Sequence, residues 1–146
     1  MELPRNGLSI LLTTFLGVLS PTLAGAEETT SPRLSPELNA ADTVGESCRL
    51  TFLLRNEMEQ DIDQFIVETV LFSKSNQVVL LTLFDFAALP IGRPRVRQFQ
   101  VPDTSCDGLG MVLVNGADTC SGGALTAAIC EKSLSVSSRT AIPLEG

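Results

Sequence analysis

From Cys48 to its end the chain never sustains an apolar stripe of helical period. It reads instead as short runs rich in β-branched and aromatic residues, separated by polar turns. "CRLTFLLRN" alternates, with Cys48, Leu50, Phe52 and Leu54 on one face and Arg49, Thr51 and Arg55 on the other, which predicts a first strand. "EMEQDID" is a polar turn region. "QFIVETVLF" reads as a second strand, apolar at both parities, so its pattern does not select a buried face. "SKSN", with Asn76, suits a hairpin turn. "QVVLLTLFDF" is a third strand, apolar on both faces as a central strand is. "AALPIGRP" breaks that strand, and "RPRVRQFQV" gives a fourth, with Pro94 placing its start at a strand end or sheet edge. "PDTSCDG" turns, "LGMVLVNG" is a fifth strand, and "KSLSVSSRTAIPL" supplies one or two more. "GGALTAAICEK" has room for a single helical turn. Six or seven short strands in about 100 residues predict an all-β sandwich of the immunoglobulin or fibronectin type III kind. The chain has no Trp and no Tyr, so the buried Trp and tyrosine corner of antibody-type domains are missing and the fibronectin-like form is favoured.

The segment before these strands has a different character. Residues 1 to 26 combine one basic residue, Arg5, an uncharged apolar run from Leu8 to Leu19, Pro21, and then Ala24-Gly25-Ala26. The apolar run is shorter than the ~20 residues a bilayer span requires and suits a signal peptide cleaved after Ala26. Its removal takes away Glu2 and Arg5 and leaves the net charge at -7. Residues 27 to 46 hold two Ser-Pro dipeptides, several acids and few large apolar side chains, which predicts a disordered linker or arm ahead of a sandwich over residues 47 to 146. The expected location is the periplasm or outside the cell, with no transmembrane segment after cleavage. The acidic balance argues against nucleic acid as a partner, since phosphate backbones demand a positive field.

Cys48, Cys106, Cys120 and Cys130 all lie in the exported part. An even count behind an export signal predicts two disulfides. Three pairings are open; a local Cys120–Cys130 bridge across "SGGALTAAI" is the simplest and leaves Cys48 to Cys106. A zinc site would want closely spaced cysteine pairs and histidine, and the chain has neither.

Residues 50 to 101 also resemble the small exported bacterial domains of fibronectin-like or FxLYD-like type. The likeness rests on a strand ending in Arg55-Asn56 before a polar turn and a strand ending in Leu71-Phe72. It continues in a turn and a Pro90–Gly92 loop leading to a strand that ends in Phe99. Phe72-Ser73 stands where the FxLYD type has Tyr-Asp. The resemblance implies a sandwich fold and brings no activity or site residues with it.

The chain contains no histidine, which removes the commonest general base, its nucleophile pairs and the commonest metal ligand. The only lysines are Lys74, in a turn, and Lys132. Glu57, Glu59, Asp61 and Asp63 cluster, but "EMEQDIDQFIVE" lacks the glycine and the ligand spacing of a calcium loop. No catalytic residue, metal site or cofactor is therefore expected. The alternative, a small carboxylate- and arginine-dependent hydrolase or ligand-binding enzyme, would need a deep pocket around Asp85 or Glu68.

Arg93, Arg95 and Arg97 remain as the binding candidates. Residues two apart on a strand share a face, so three guanidinium groups would line up. Such a row could grip an anionic ligand or the acidic edge of an envelope protein through bidentate hydrogen bonds. The plainer reading pairs the row with the chain's own acids, such as Glu57, Asp63 or Glu68. Phe99 and Val101 share the arginine parity, which calls for a bulge or an outer face with an apolar end. Together these features predict an exported binding or structural accessory module acting by protein–protein contact.

Overall fold

The computed structural model describes residue 31 and residues 33–146. The signal-peptide reading for residues 1 to 26 and the start of the arm lie outside the described residues. The element order is β1 (Arg33–Val44), β2 (Ser47–Glu57), β3 (Ile62–Ser73), β4 (Val78–Leu89), β5 (Arg95–Val101), β6 (Leu109–Ser121), α1 (Ala127–Lys132), β7 (Ser137–Ser138) and β8 (Leu144–Glu145). One sheet has the order β5-β2-β1-β7 and the other β4-β3-β6-β8. The two sheets make an all-β sandwich. The chain crosses between them from β2 to β3 and at every connection from β4 to β8.

The expected arm is instead the first strand. β1 pairs with β2 along its whole length and begins the domain at Arg33, well before residue 47. Counting apolar residues missed it because their parity matters more than their number: Leu34, Pro36 and Leu38 alternate and all face inward, both leucines fully buried. Pro36 is tolerated because the backbone bonds to the C-terminal segment are made by its neighbours of the same parity. Leu34 N–H donates to Ser133, and the Leu34 and Leu38 carbonyls accept from Ser135 and Arg139. A register shift at Asn39 ends the strict alternation, and Gly45, at φ 59°, lets the chain turn straight into β2.

The core lies between the sheets, and phenylalanine does the packing that Trp and Tyr do elsewhere. Phe52 from β2 meets Phe84, Phe86 and Phe99 edge-on at centroid distances of 5.8, 5.4 and 5.9 Å. Phe84 and Phe99 stack at 4.1 Å, which ties β4 to β5 across the sheets. Leu50, Leu54, Val67, Leu71 and Val112 fill the space around the rings.

Two disulfides staple this frame, Cys48–Cys106 and Cys120–Cys130. The first joins β2 in one sheet to the 3-10 turn (Cys106–Gly108) that leads into β6 of the other. The second holds α1 against β6. Thr126 caps the helix by accepting the Ile129 N–H, and Glu131 turns back to accept the Ala117 N–H at an irregularity in β6.

One end of the sandwich is knitted by the β2–β3 connection. Asn56 is 2% exposed and its amide is fully used: Nδ2 donates to the Leu89 carbonyl (2.7 Å) and the Gln60 carbonyl (3.0 Å), and Oδ1 accepts the Met58 N–H. Asp61 Oδ1 accepts the Ile91 N–H, and Gln60 Oε1 accepts the Ala124 N–H. Gly122 passes so close that a Cβ there would collide with the Asp61 carbonyl, so only glycine fits. Replacing Asn56 by alanine strands three buried backbone groups at once. Urea titration is expected to show a loss of about 3 kcal/mol.

The opposite change is expected at Thr69, which is 1% exposed and faces the core from the middle of β3. Its hydroxyl has no hydrogen-bond partner among the described residues. Thr69→Val replaces that stranded hydroxyl by a methyl group of similar size, and the same titration is expected to show a gain of about 1 kcal/mol.

Candidate interaction surface

β5 pairs with β2 in an unbroken register from Cys48 opposite Val101 to Leu54 opposite Arg95. No bulge turns the strand, so Arg95, Arg97, Phe99 and Val101 all point toward the space between the sheets, while Val96, Gln98 and Gln100 point out. The row is thus an inward-facing one at the open flank of the sandwich, where the edge strands β5 and β4 approach one another. Arg93 lies before β5 and is exposed.

The expected pairing with carboxylates is replaced by pairing with backbone. Arg97 Nε donates to the Phe86 carbonyl at 2.9 Å and Nη2 to the Ala88 carbonyl at 3.5 Å, both on β4, while Nη1 reaches its neighbour Val96. Among the described residues the Arg95 side chain bonds only to the carbonyl of Pro94. Arg97 therefore caps carbonyls that β4 offers on the side away from β3, a charge-assisted substitute for a missing strand. The ion pairs of the described residues are elsewhere: Arg33–Glu57 and Arg49–Asp42 are exposed, and Arg139–Glu37 joins an exposed arginine to a half-buried glutamate. Pairs of this kind contribute little, ~0–1 kcal/mol each.

The candidate acids are likewise occupied with local structure. Asp85 is exposed and accepts the Ala87 N–H at 2.8 Å, where Ala87 takes φ 56° and the strand bulges. Glu68 accepts from the Asn115 amide on β6. The clefts lined by Arg55, Asn56 and Arg93 and by Met58, Leu125 and Ile129 include neither acid. Among the described residues no group of three or more His, Cys, Asp or Glu side chains is placed to hold a metal ion.

The surface that stands out was read differently in the sequence. Among the described residues β4 is an edge strand, hydrogen-bonded to β3 alone, and not the central strand its two apolar faces predict. Its inner parity, Phe84 and Phe86, enters the core; its outer parity, Val79, Leu81 and Leu83, is 43, 58 and 52% exposed. The register continues this apolar character across the sheet. Leu81 lies opposite Val70, which lies opposite Leu113, and Phe72 lies opposite Met111. None of these residues belongs to the core cluster. β3 is apolar at both parities for the same reason: Phe65, Val67 and Leu71 face the core, while Ile66, Val70 and Phe72 face out. The outer side of β4, β3 and β6 is thus an apolar face bordered by Glu68 and Asp85, of the type that marks interaction sites.

No protein-family model matches the chain, no curated protein is detectably similar to it, and no solved structure matches it.

Proposed function

We propose that the chain is an exported accessory module that works by protein–protein contact in the periplasm or outside the cell. The observation that carries this reading is the apolar face of β4, β3 and β6, which no described residue covers. All four cysteines are paired, and no helix among the described residues is long and apolar enough to cross a membrane, which supports export as a disulfide-stapled domain. The strand order, β5-β2-β1-β7 against β4-β3-β6-β8, gives the module the frame of an all-β sandwich.

The test changes the face without touching the edge of the sheet. Met111→Lys with Leu113→Lys charges the centre of the face from β6, and both side chains are only partly buried, so the variant is expected to fold. Wild type and variant are used as bait in envelope extract, with circular dichroism as the folding control. The expected result is a protein retained by wild type and lost by the folded variant. An identical set of retained proteins would overturn the reading.

A further inference from the structure

The sheet opposite the apolar face gathers positive charge at one end and leaves part of it without an acid. A cleft of about 220 Å³ lies between the end of β2 and the approach to β5, lined by Arg55, Asn56, Glu57, Gly92, Arg93 and Pro94. Alternation puts Arg55 and Glu57 on the outer side of β2, because Leu54 and Asn56 are buried. Among the described residues Glu57 is the one acid lining the cleft. It lies opposite Arg33 in the register of β1 and β2, with its carboxylate 3.9 Å from that guanidinium. Asp61 is turned to the Ile91 N–H and does not line the cleft. Arg55 and Arg93 take part in none of the ion pairs among the described residues.

The backbone that carries the two arginines is tied down on both sides. Gly92 N–H donates to the Asn56 carbonyl at 3.2 Å, and the Asn56 side chain is itself anchored to the Leu89 and Gln60 carbonyls. Arg93 N–H reaches the Pro90 carbonyl at 3.4 Å and closes a turn whose third residue, Gly92, takes φ 66°, a conformation that favours glycine. That turn delivers Arg93 to the cleft that Arg55 already lines. We propose that this cleft binds a tetrahedral oxyanion, a phosphate or sulfate group, between the Arg55 and Arg93 guanidinium groups. Guanidinium presents paired N–H donors that match such an anion, and a backbone fixed in advance loses little freedom on binding. Two cations that share a cleft repel one another, and a bound dianion removes that repulsion. In a chain whose net charge is -7, the attraction comes from this local pair and not from the overall field. The inference is independent of the apolar face on the other sheet.

The test is an NMR titration of the isotope-labelled chain with sodium phosphate, sodium sulfate and glycerol phosphate at constant ionic strength. Saturable shifts of the Arg55, Gly92 and Arg93 amides are expected, with a dissociation constant of about 1 mM for phosphate. Arg55→Gln and Arg93→Gln are each expected to weaken binding about tenfold or more. Both side chains are exposed, so the rest of the spectrum is expected to stay in place. Arg49→Gln, at an arginine paired with Asp42, is expected to leave binding unchanged. Tighter binding of glycerol phosphate than of phosphate assigns the cleft to an ester, and equal binding assigns it to the free ion. Shifts that never saturate, or that persist undiminished in the folded Arg55→Gln variant, would overturn the proposal. The Met111→Lys/Leu113→Lys variant is expected to bind phosphate as wild type does, which keeps the fate of this site apart from that of the apolar face.

Discussion

Replacing Cys48 and Cys106 together by alanine is expected to lower the free energy of unfolding by about 4 kcal/mol. The bridge closes a loop of 58 residues, and the entropy it removes from the unfolded chain grows with the logarithm of that length. The shorter Cys120–Cys130 loop, with a separation of 10, is expected to contribute about 2.7 kcal/mol on the same basis. The long bridge also joins the two sheets, from a fully buried Cys48 to the turn ahead of β6, so its loss leaves a small void as well. Urea titration of the two double variants under oxidising conditions measures both quantities. A larger loss from the short bridge than from the long one would show that native packing around α1, and not unfolded-chain entropy, sets the ranking.

Phe52→Ala is expected to cost about 4 kcal/mol, near the middle of the range for a buried phenylalanine. Phe52 is 1% exposed and touches three other rings, from β4 and β5, so its removal opens the centre of the sandwich and not its margin. The surrounding rings come from both sheets and are held by strand pairing, which limits how far they can collapse into the space. Phe52→Leu keeps most of the volume and is expected to lose about half as much. Thermal unfolding of the two variants beside wild type checks the order. Equal losses would mean that the edge-on ring contacts, and not the filled volume, dominate.

The strands from Cys48 onward were legible because period-two alternation and turn residues survive without any knowledge of partners. The hairpin at Asn76, the single turn of helix and the favoured disulfide pairing all follow from local sequence, and the structure has them. β1 was hidden by its composition: two Ser-Pro dipeptides and scattered acids outweigh Leu34 and Leu38 unless parity is read first. The arginine row was legible as a row but not as to its side. Sharing a face with Phe99 and Val101 meant facing the core flank, where a guanidinium can reach the carbonyls of an edge strand, and the sequence alone does not say which strand lies across from it. β4 carried the functional signal and was the easiest to misread. An apolar run at both parities is the mark of a strand covered on both faces, and nothing local says whether the second cover belongs to the same chain.

Amide hydrogen exchange along β4 tests most directly whether that strand stands outermost with its edge free. Measured by NMR, the amides of Leu80, Thr82 and Phe84 are expected to exchange slowly because they face β3, as the bond of Val112 N–H to Pro143 turns Leu71, and with it Thr69 and Val67, toward β4. Those of Leu81 and Leu83 are expected to exchange fast. Slow exchange at all five positions would contradict this arrangement, because it would mean that another part of the chain already covers the edge.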